Sequence, residues 1–166
     1  MLFDGDVQAQ LREQFGNQIF SEQGDVDRSK LAKHVFGKTE EHDQAREQLN
    51  AILHPAIRRN IHSQIDSASR EVDAVILDAA LLLEGGWDDR CNWLIFIDTP
   101  LEIRQQRVRE NRNWSSDELA RREATQLGID VKKKRADFVV DNSGSMDESV
   151  AHMKKILDTI LKTSCE

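Results

Sequence analysis

The chain has 166 residues and a net charge of −7, and 32% of its residues are charged while 5% are aromatic. This length and composition predict one globular domain and exclude a low-complexity chain. The acidic balance argues against nucleic acid as a partner. No apolar run reaches the length of a membrane span, and the first residues lack the features of a secretory signal. Neither membrane insertion nor export is therefore expected.

The cysteine and histidine spacings bear on compartment and metal content. Cys91 and Cys165 are far apart and stand in no metal-binding or redox spacing. Two thiols of this kind suit the reducing cytoplasm, which is the expected location. The histidines form no ligand pattern either, so no metal site is expected within the protein.

Basic residues are concentrated in residues 102–135, where ten Lys and Arg residues stand against six Asp and Glu residues. The local surplus is +4, so the remainder of the chain carries −11. A basic segment on an acidic protein suits a small polyanionic ligand better than a long polyanion. The same pattern is typical of the solvated face of amphipathic helices, and composition alone leaves both interpretations open.

Helices are predicted in the first 70 residues, and strands alternate with helices after them. Apolar spacing and capping residues predict helices over residues 3–15, 27–36, 39–53 and 55–68. Short apolar runs predict strands over residues 72–79, 93–98 and 138–141. Further helices are predicted after Pro100, Ser115 and Ser145, the last two with capping boxes. This alternation predicts an α/β fold with a buried parallel sheet.

The basic segment carries arginines at spacings that place them on common helix faces. Arg104 and Arg107 are three residues apart on one predicted helix, and Arg121 and Arg122 lie on the next. Guanidinium groups bind phosphate bidentately and neutralise the charge on a transferring phosphoryl group. A helical pair that carries them has the character of a phosphate-clamping lid. The alternative is ion pairing along the helix, for example between Glu118 and Arg122.

Two carboxylates follow the first predicted strand. Asp78 ends the run of residues 72–79, and Glu84 comes six residues later in a short apolar loop. Ligands of open α/β sheets bind beyond the carboxyl ends of the strands, where a carboxylate can orient a hydroxyl or act as a base. The alternative is that both are turn or capping residues. His54 before Pro55 is on its own weak support for catalysis.

Six segments, taken in order, resemble the dephospho-coenzyme A kinase family. They read GDVDRSKLAKHVF, LNAILHPAIR, LDAALLLEGG, RQQRV, ARREATQ and KKKRADFVVDNSGS, and they extend over essentially the whole chain. The family transfers the γ-phosphate of ATP, supplied as its Mg²⁺ complex, to the ribose 3′-hydroxyl of dephospho-CoA, in the last step of coenzyme A synthesis. The resemblance implies these two substrates and a three-layer, P-loop kinase-like α/β fold in a single domain of residues 1–166.

The resemblance also implies subdomains and site residues. Residues 12–69 would form a helical CoA-side subdomain, residues 112–134 the lid, and residues 70–100 with 136–166 the core. Position in the family motifs implies three groups of site residues: Arg107 and Arg122 as catalytic; Arg28, His54, Asp78 and Glu84 as substrate-binding; and Gln126, Lys132 and Asn142 as nucleotide-binding.

The sequence departs from the family pattern in several places. Ala80 replaces the usual proline, Arg104 replaces a glutamine, and Asn111 stands where a further lid arginine is usual. Family members normally begin with a strand and a phosphate loop, and the chain contains no G-x-x-x-x-G-K-[ST] sequence. Phosphoryl transfer relies on that loop, its lysine and Mg²⁺. We therefore expect an N-terminally truncated kinase that lacks the first strand and, alone, binds ATP weakly and turns over negligibly.

Two other functions fit the same residues. One is a different P-loop nucleoside or nucleotide kinase, against which the helical His-Pro segment favours a CoA-like acceptor. The other is a non-catalytic remnant that binds CoA-like ligands or a partner protein, which the missing phosphate loop favours. The sequence leaves the oligomeric state and the identity of the general base open.

Overall fold

A computed structural model describes residues 2, 4–37, 39–68 and 71–163, which divide into two compact units, Met1–Ala68 and Ser69–Glu166. Two sequence predictions, the helix start at Phe3 and the thiol of Cys165, lie outside the described residues. Within the described ranges no helix has the length and apolarity needed to cross a membrane.

The first unit is a cluster of helices. Its α-helices are α1 (Gly5–Phe15), α2 (Arg28–Val35) and α3 (Glu40–Asp66), and a short 3₁₀ helix spans Asn17–Ile19. Val7, Leu11 and Phe15 repeat every four residues, so all three lie buried on one face of α1. The side chain of Asp27 accepts hydrogen bonds from the backbone N–H groups at the start of α2, which confirms the predicted cap.

Helix α3 corrects the prediction of two helices separated at His54-Pro55. It runs without a break for 27 residues, with Pro55 inside it. Proline lacks an N–H, so one hydrogen bond of the helix is missing at this point. The next residue, Ala56, is buried in the core of the first unit, and Leu49 and Leu53 pack against the same core. Packing on both sides of Pro55 therefore stabilises the helix through a position that would interrupt an isolated one.

The second unit is built on two parallel strands. The strands are β1 (Ile95–Asp98) and β2 (Phe138–Asp141), and the α-helices are α4 (Leu101–Arg112), α5 (Ser116–Glu123), α6 (Ile129–Arg135) and α7 (Met146–Thr163). Ile95 pairs with Phe138 and Asp98 with Asp141, so the two strands end level with each other. Val140, Ile156 and Ile160 form the buried core between β2 and α7. The strand predicted over residues 138–141 is confirmed, and that over residues 93–98 is shorter by two residues.

The strand predicted over residues 72–79 is wrong. The segment forms no hydrogen-bonded strand, and Ile76 is 79% exposed. A buried parallel strand requires a neighbour on at least one edge, and the sheet in the described residues contains only β1 and β2. The described structure is thus mostly helical with a two-stranded parallel sheet, which is smaller than the sheet expected for the three-layer α/β fold that the resemblance implies.

The predicted capping box is complete at the start of α7, whereas only its serine half forms at the start of α5. Ser145 and Glu148 form the reciprocal pair, since Glu148 Oε2 accepts from Ser145 N at 2.8 Å and Ser145 Oγ accepts from Glu148 N at 3.3 Å. Ser115 Oγ accepts from Glu118 N at 3.1 Å. The carboxylate of Glu118 binds arginines of α5 instead of returning to Ser115.

The core between β2 and α7 provides a stability test. We expect Ile156→Ala to lower the free energy of unfolding of the second unit by about 2–5 kcal/mol, because the side chain is buried and its removal leaves a cavity. Lys154→Ala, on an exposed position of the same helix, should change it by less than about 0.5 kcal/mol. Urea unfolding followed by tryptophan fluorescence measures both, since Trp87, Trp93 and Trp114 all lie in this unit. Equal effects of the two substitutions would contradict this packing.

Candidate functional site

The level ends of β1 and β2 bring together the residues that follow each strand. Asn142 N donates to the carbonyl of Asp98 at 2.8 Å, which extends the strand pairing by one residue. The side chain of Asn142 donates from Nδ2 to Thr99 Oγ1 at 3.1 Å and accepts at Oδ1 from Ser149 Oγ at 2.9 Å. Its amide is thus held on both sides, in one orientation, at the carboxyl edge of the sheet.

Glu84 and Lys132 form an ion pair beside this edge. Lys132 Nζ lies 2.8 Å from Glu84 Oε1 and donates to Gln126 Oε1, also at 2.8 Å. The same oxygen of Glu84 accepts from Leu127 N at 2.8 Å. The side chains of Lys132 and Glu84 are only 15% and 14% exposed. This network joins the loop around Glu84 to the turn that leads into α6, and it brings together three residues that the sequence predicts for the site.

The environment of Glu84 keeps its carboxyl group ionised. Burial alone raises its pKa, but hydrogen bonds from Lys132 and from backbone N–H groups, including that of Leu127, outweigh burial and lower the pKa below its ordinary value. Oε2 of Glu84 is buried and has no hydrogen-bond partner in the described part of the chain. A charged carboxylate with one unused oxygen can accept a hydrogen bond but cannot act as a general acid near neutral pH.

Arg104 and Glu123 form a second pair across the helices. Arg104 Nε donates to Glu123 Oε1 at 2.8 Å, and a terminal nitrogen donates to Glu123 Oε2 at 3.3 Å. The other terminal nitrogen of Arg104 donates to the carbonyl of Thr99 at 2.5 Å. The pair thus links the end of α5 to the start of α4 and to the residue that follows β1.

A cavity of about 560 Å³ lies between β1 and the segment that leads into α6. Its polar lining includes Thr99, Arg104, Glu123, Gln126 and Lys132, and apolar side chains of β1 and α6 complete the wall. This volume is in the range of small-molecule sites, and a largely apolar wall with a few convergent polar groups is typical of them.

The predicted lid arginines have partners of their own. Arg122 Nε donates to Glu118 Oε1 at 2.8 Å, and its guanidinium lies 4.1 Å from the centre of the Trp114 ring. Arg121 also pairs with Glu118. Arg107 donates to the carbonyl of Gly144 at 3.0 Å. The ion pair between Glu118 and Arg122, the alternative that the sequence left open, is therefore confirmed.

Carboxylates neutralise most of the basic segment. Of its ten cations, six form ion pairs in the structure: Arg104, Arg121, Arg122, Lys132, Lys133 and Arg135. An incoming phosphate must therefore compete with an acidic side chain for most of the cations that the sequence offers. The net charge of +4 counted from the sequence therefore overstates the number of unpaired cations available to a ligand.

Three predicted site residues remain, and each is described within its own unit. Asp78 is exposed within the segment that forms no strand. Arg28 is exposed at the first position of α2, and His54 is half-buried in the middle of α3, so both belong to the first unit. In the described ranges no group of three or more His, Cys, Asp or Glu side chains could hold a metal ion.

Sequence reasoning missed three residues of the site. Thr99 follows β1 directly, and the rule that ligands bind beyond strand ends would have identified it. Trp114 lies between two arginines in sequence, with Arg112 5.3 Å and Arg122 4.1 Å from its ring centre. Glu123 is 19 residues from Arg104, and no local spacing reveals such a pair.

The lowered pKa of Glu84 predicts an acid-sensitive contribution to stability. A carboxyl whose pKa is lowered by folding stabilises the folded state above its unfolded-state pKa, and this contribution is lost as the pH falls through the folded-state value. Glu84→Gln keeps the shape but removes this effect. Unfolding followed by tryptophan fluorescence should show wild type more stable than the variant at about pH 6, with the difference shrinking towards about pH 3. A difference independent of pH would contradict the assignment.

Known proteins match the chain over most of its length. The sequence profile described as dephospho-CoA kinase matches residues 3–148. The chain is 39% identical over 150 residues to the dephospho-CoA kinase of Bacillus licheniformis, a match that covers 90% of this chain and 73% of that protein. It is 35% identical over 159 residues to the dephospho-CoA kinase of Latilactobacillus sakei, covering 95% and 76% of the two chains.

Solved structures agree with the sequence matches. A crystal structure of a Thermus thermophilus protein superposes with a TM-score of 0.72 at 30% identity, over 92% of this chain and 75% of that one. The dephospho-CoA kinase from Campylobacter jejuni superposes with a TM-score of 0.64 at 24% identity, over 96% and 78% of the two chains, and thus shares the fold. The chain belongs to the dephospho-CoA kinase family, a family of ATP-using phosphotransferases in coenzyme A synthesis.

Proposed function

We propose that the chain serves the transfer of the ATP γ-phosphate to the ribose 3′-hydroxyl of dephospho-CoA. The observation that carries this proposal is the cluster of Glu84, Gln126 and Lys132 beside a cavity at the carboxyl end of β1. These three residues come from three separate motifs of the resemblance. Their convergence at the edge of the sheet where ligands of α/β proteins bind supports a common site.

The nucleotide is proposed to contact Asn142, Lys132 and Gln126. Asn142 offers the adenine an amide whose orientation Thr99 and Ser149 fix. Such an amide can pair with the amino group and a ring nitrogen of adenine. Lys132 and Gln126 line the cavity and supply a cation and an amide for the phosphates.

The acceptor is proposed to contact Asp78 and Glu84. For Arg28 and His54, which belong to the first unit, a role towards the acceptor is proposed from the family motifs alone. Glu84 is charged, which fits an acceptor of a hydrogen bond from a ribose hydroxyl. Because Glu84 is paired with Lys132, its proposed role is to position the ribose hydroxyl. The proposed general base, which would take the proton of that hydroxyl, is instead the exposed Asp78.

Arg122 and Arg107 are proposed to neutralise charge on the transferring phosphoryl group. Glu118 holds Arg122 in this structure, so phosphate must replace that carboxylate. Mg²⁺ is proposed to enter as the complex with ATP and to share in neutralising the phosphate charge.

Binding measurements test the division of the proposed function between acceptor and nucleotide. The 166-residue sequence contains no G-x-x-x-x-G-K-[ST] loop, whose backbone and lysine hold the phosphates in P-loop enzymes. We therefore expect calorimetric titration of this chain to show saturable binding of dephospho-CoA. ATP–Mg²⁺ should bind with a dissociation constant above about 1 mM, equivalent to less than about 4 kcal/mol. Tight binding of ATP–Mg²⁺, or no binding of dephospho-CoA, would contradict this division.

Arg121 and Arg122 provide a matched pair for the phosphoryl-transfer role. Both pair with Glu118, but only Arg122 lies on the ring of Trp114 and occupies the proposed position. We expect Arg122→Lys to slow phosphate transfer from labelled ATP by about tenfold or more, because a lysine loses the bidentate fork. Arg121→Lys should change the rate less than about twofold. Labelled ATP is used because even slow transfer to dephospho-CoA is then measurable, and equal effects would remove Arg122 from the proposed mechanism.

A further inference from the structure

Arg104 is placed like a ligand-binding arginine but is occupied by a carboxylate. It lines the cavity, and two of its nitrogens bind the two oxygens of Glu123 at 2.8 and 3.3 Å. This two-point geometry is the one that a guanidinium also uses for phosphate. Glu123 therefore occupies the face of Arg104 that a phosphate oxygen pair would take.

The two partners differ in how firmly they are held. Arg104 is 23% exposed and is also tied to the carbonyl of Thr99, whereas Glu123 is 33% exposed. Glu123 is the last residue of α5, where the helix dipole disfavours a negative charge. The carboxylate can therefore turn to solvent more easily than the guanidinium, which stays fixed at the cavity wall.

We propose that Arg104 is a phosphate-binding residue of this cavity and that Glu123 is an internal competitor which an incoming polyphosphate displaces. The inference rests on the proposed function for the identity of the ligand, which is then the triphosphate of ATP or the pyrophosphate of dephospho-CoA. Lys132 and Gln126 line the same cavity. Asp130 also lines the cavity and opposes the anion.

If phosphate displaces Glu123 from Arg104, substitution of each of these two residues should have opposite effects on the affinity for the anion. Removing the competitor by Glu123→Gln leaves Arg104 available, so affinity for an anion rises. Removing the arginine by Arg104→Gln, which restores the glutamine of the family pattern, lowers it. A pair that only held α5 in place would give the same sign for both substitutions, because either one breaks the same contact.

The experiment is calorimetric titration of the full chain with inorganic tripolyphosphate. We expect Glu123→Gln to tighten binding about three- to tenfold and Arg104→Gln to weaken it about tenfold, the scale of one charge-assisted hydrogen-bonding pair. The gain from Glu123→Gln should vanish in the double variant with Arg104→Gln. Asp130→Asn is the matched control, since it removes the same charge from the same cavity without releasing Arg104, and its gain should persist with Arg104→Gln.

Several outcomes would overturn the proposal. They are weaker binding by Glu123→Gln, a gain that survives loss of Arg104, and no saturable binding by Glu123→Gln at millimolar tripolyphosphate. If Arg104→Gln does not fold, as judged by circular dichroism, Arg104→Lys serves in its place, because it keeps the charge but loses the fork. Titrations with ATP and with dephospho-CoA then identify the source: the substrate whose affinity follows the same pattern is the ligand of Arg104. Loss of this pattern while dephospho-CoA still binds wild type would reject the inference and leave the proposed function standing.

Discussion

Neutralisation of the basic segment by carboxylates is the interaction on which the site depends. The ion pairs of Arg104 and Lys132 join α4, α5, the turn before α6 and the loop around Glu84 at one edge of the sheet. Without them the half-buried cations around the cavity would repel one another across a medium less polarisable than water. The same pairing gives most of these cations an acidic partner, so under the proposed function a ligand would bind by exchanging partners and not by filling an unbalanced positive pocket.

These ion pairs differ in what they contribute. Exposed pairs such as that of Arg121 with Glu118 are worth little, because water and salt screen them and side-chain entropy opposes them. The pair of Lys132 with Glu84 is largely buried, and Leu127 N, Gln126 Oε1 and the carbonyl of Ala80 also bind its atoms, while Oε2 of Glu84 has no partner in the described residues. Breaking it would leave a charge inside the protein, which costs more than the pair itself contributes. The turn before α6 is accordingly fixed, while α5 is held by weaker pairs and by the ring of Trp114.

The sequence predicted what short-range physics decides. Asp27 and Ser145 cap helices because their side chains reach N–H groups two or three residues away, and residues 138–141 form a strand inside a continuous apolar run. Long-range contacts defeated the same reasoning. Pro55 lies inside a helix because the core holds the helix on both sides, and residues 72–79 form no strand although their composition favours one. An apolar run indicates that a segment can form a strand, but it does not identify the neighbouring strand with which the segment would pair.

In the site, too, the sequence predicts individual residues but not the long-range contacts between them. Gln126, Lys132 and Asn142 were predicted from their motifs, and the structure places all three near the carboxyl ends of the strands. The pairing of Lys132 with Glu84 could not be predicted, although both residues were, since they are 48 residues apart along the chain and only the fold brings them together. This matters because a cation counted from the sequence is taken as available to a ligand.

Trp114 can hold the side chain of Arg122 in place while the acidic partner of that arginine is replaced by a phosphate. An aromatic face attracts the guanidinium of Arg122 without cancelling its charge, whereas Glu118 cancels it. A phosphate that replaces Glu118 would therefore meet an arginine that the ring already orients, and the entropy of ordering that long side chain would not have to be lost again on binding. Arg104 reaches the same state by another route, with the carbonyl of Thr99 in the place of the ring. In both positions a neutral partner fixes the cation and an acidic one occupies the face that phosphate would take under the proposed function. Exchange of that acidic partner is how a protein with a net charge of −7 would accept a small polyanion at this edge of its sheet.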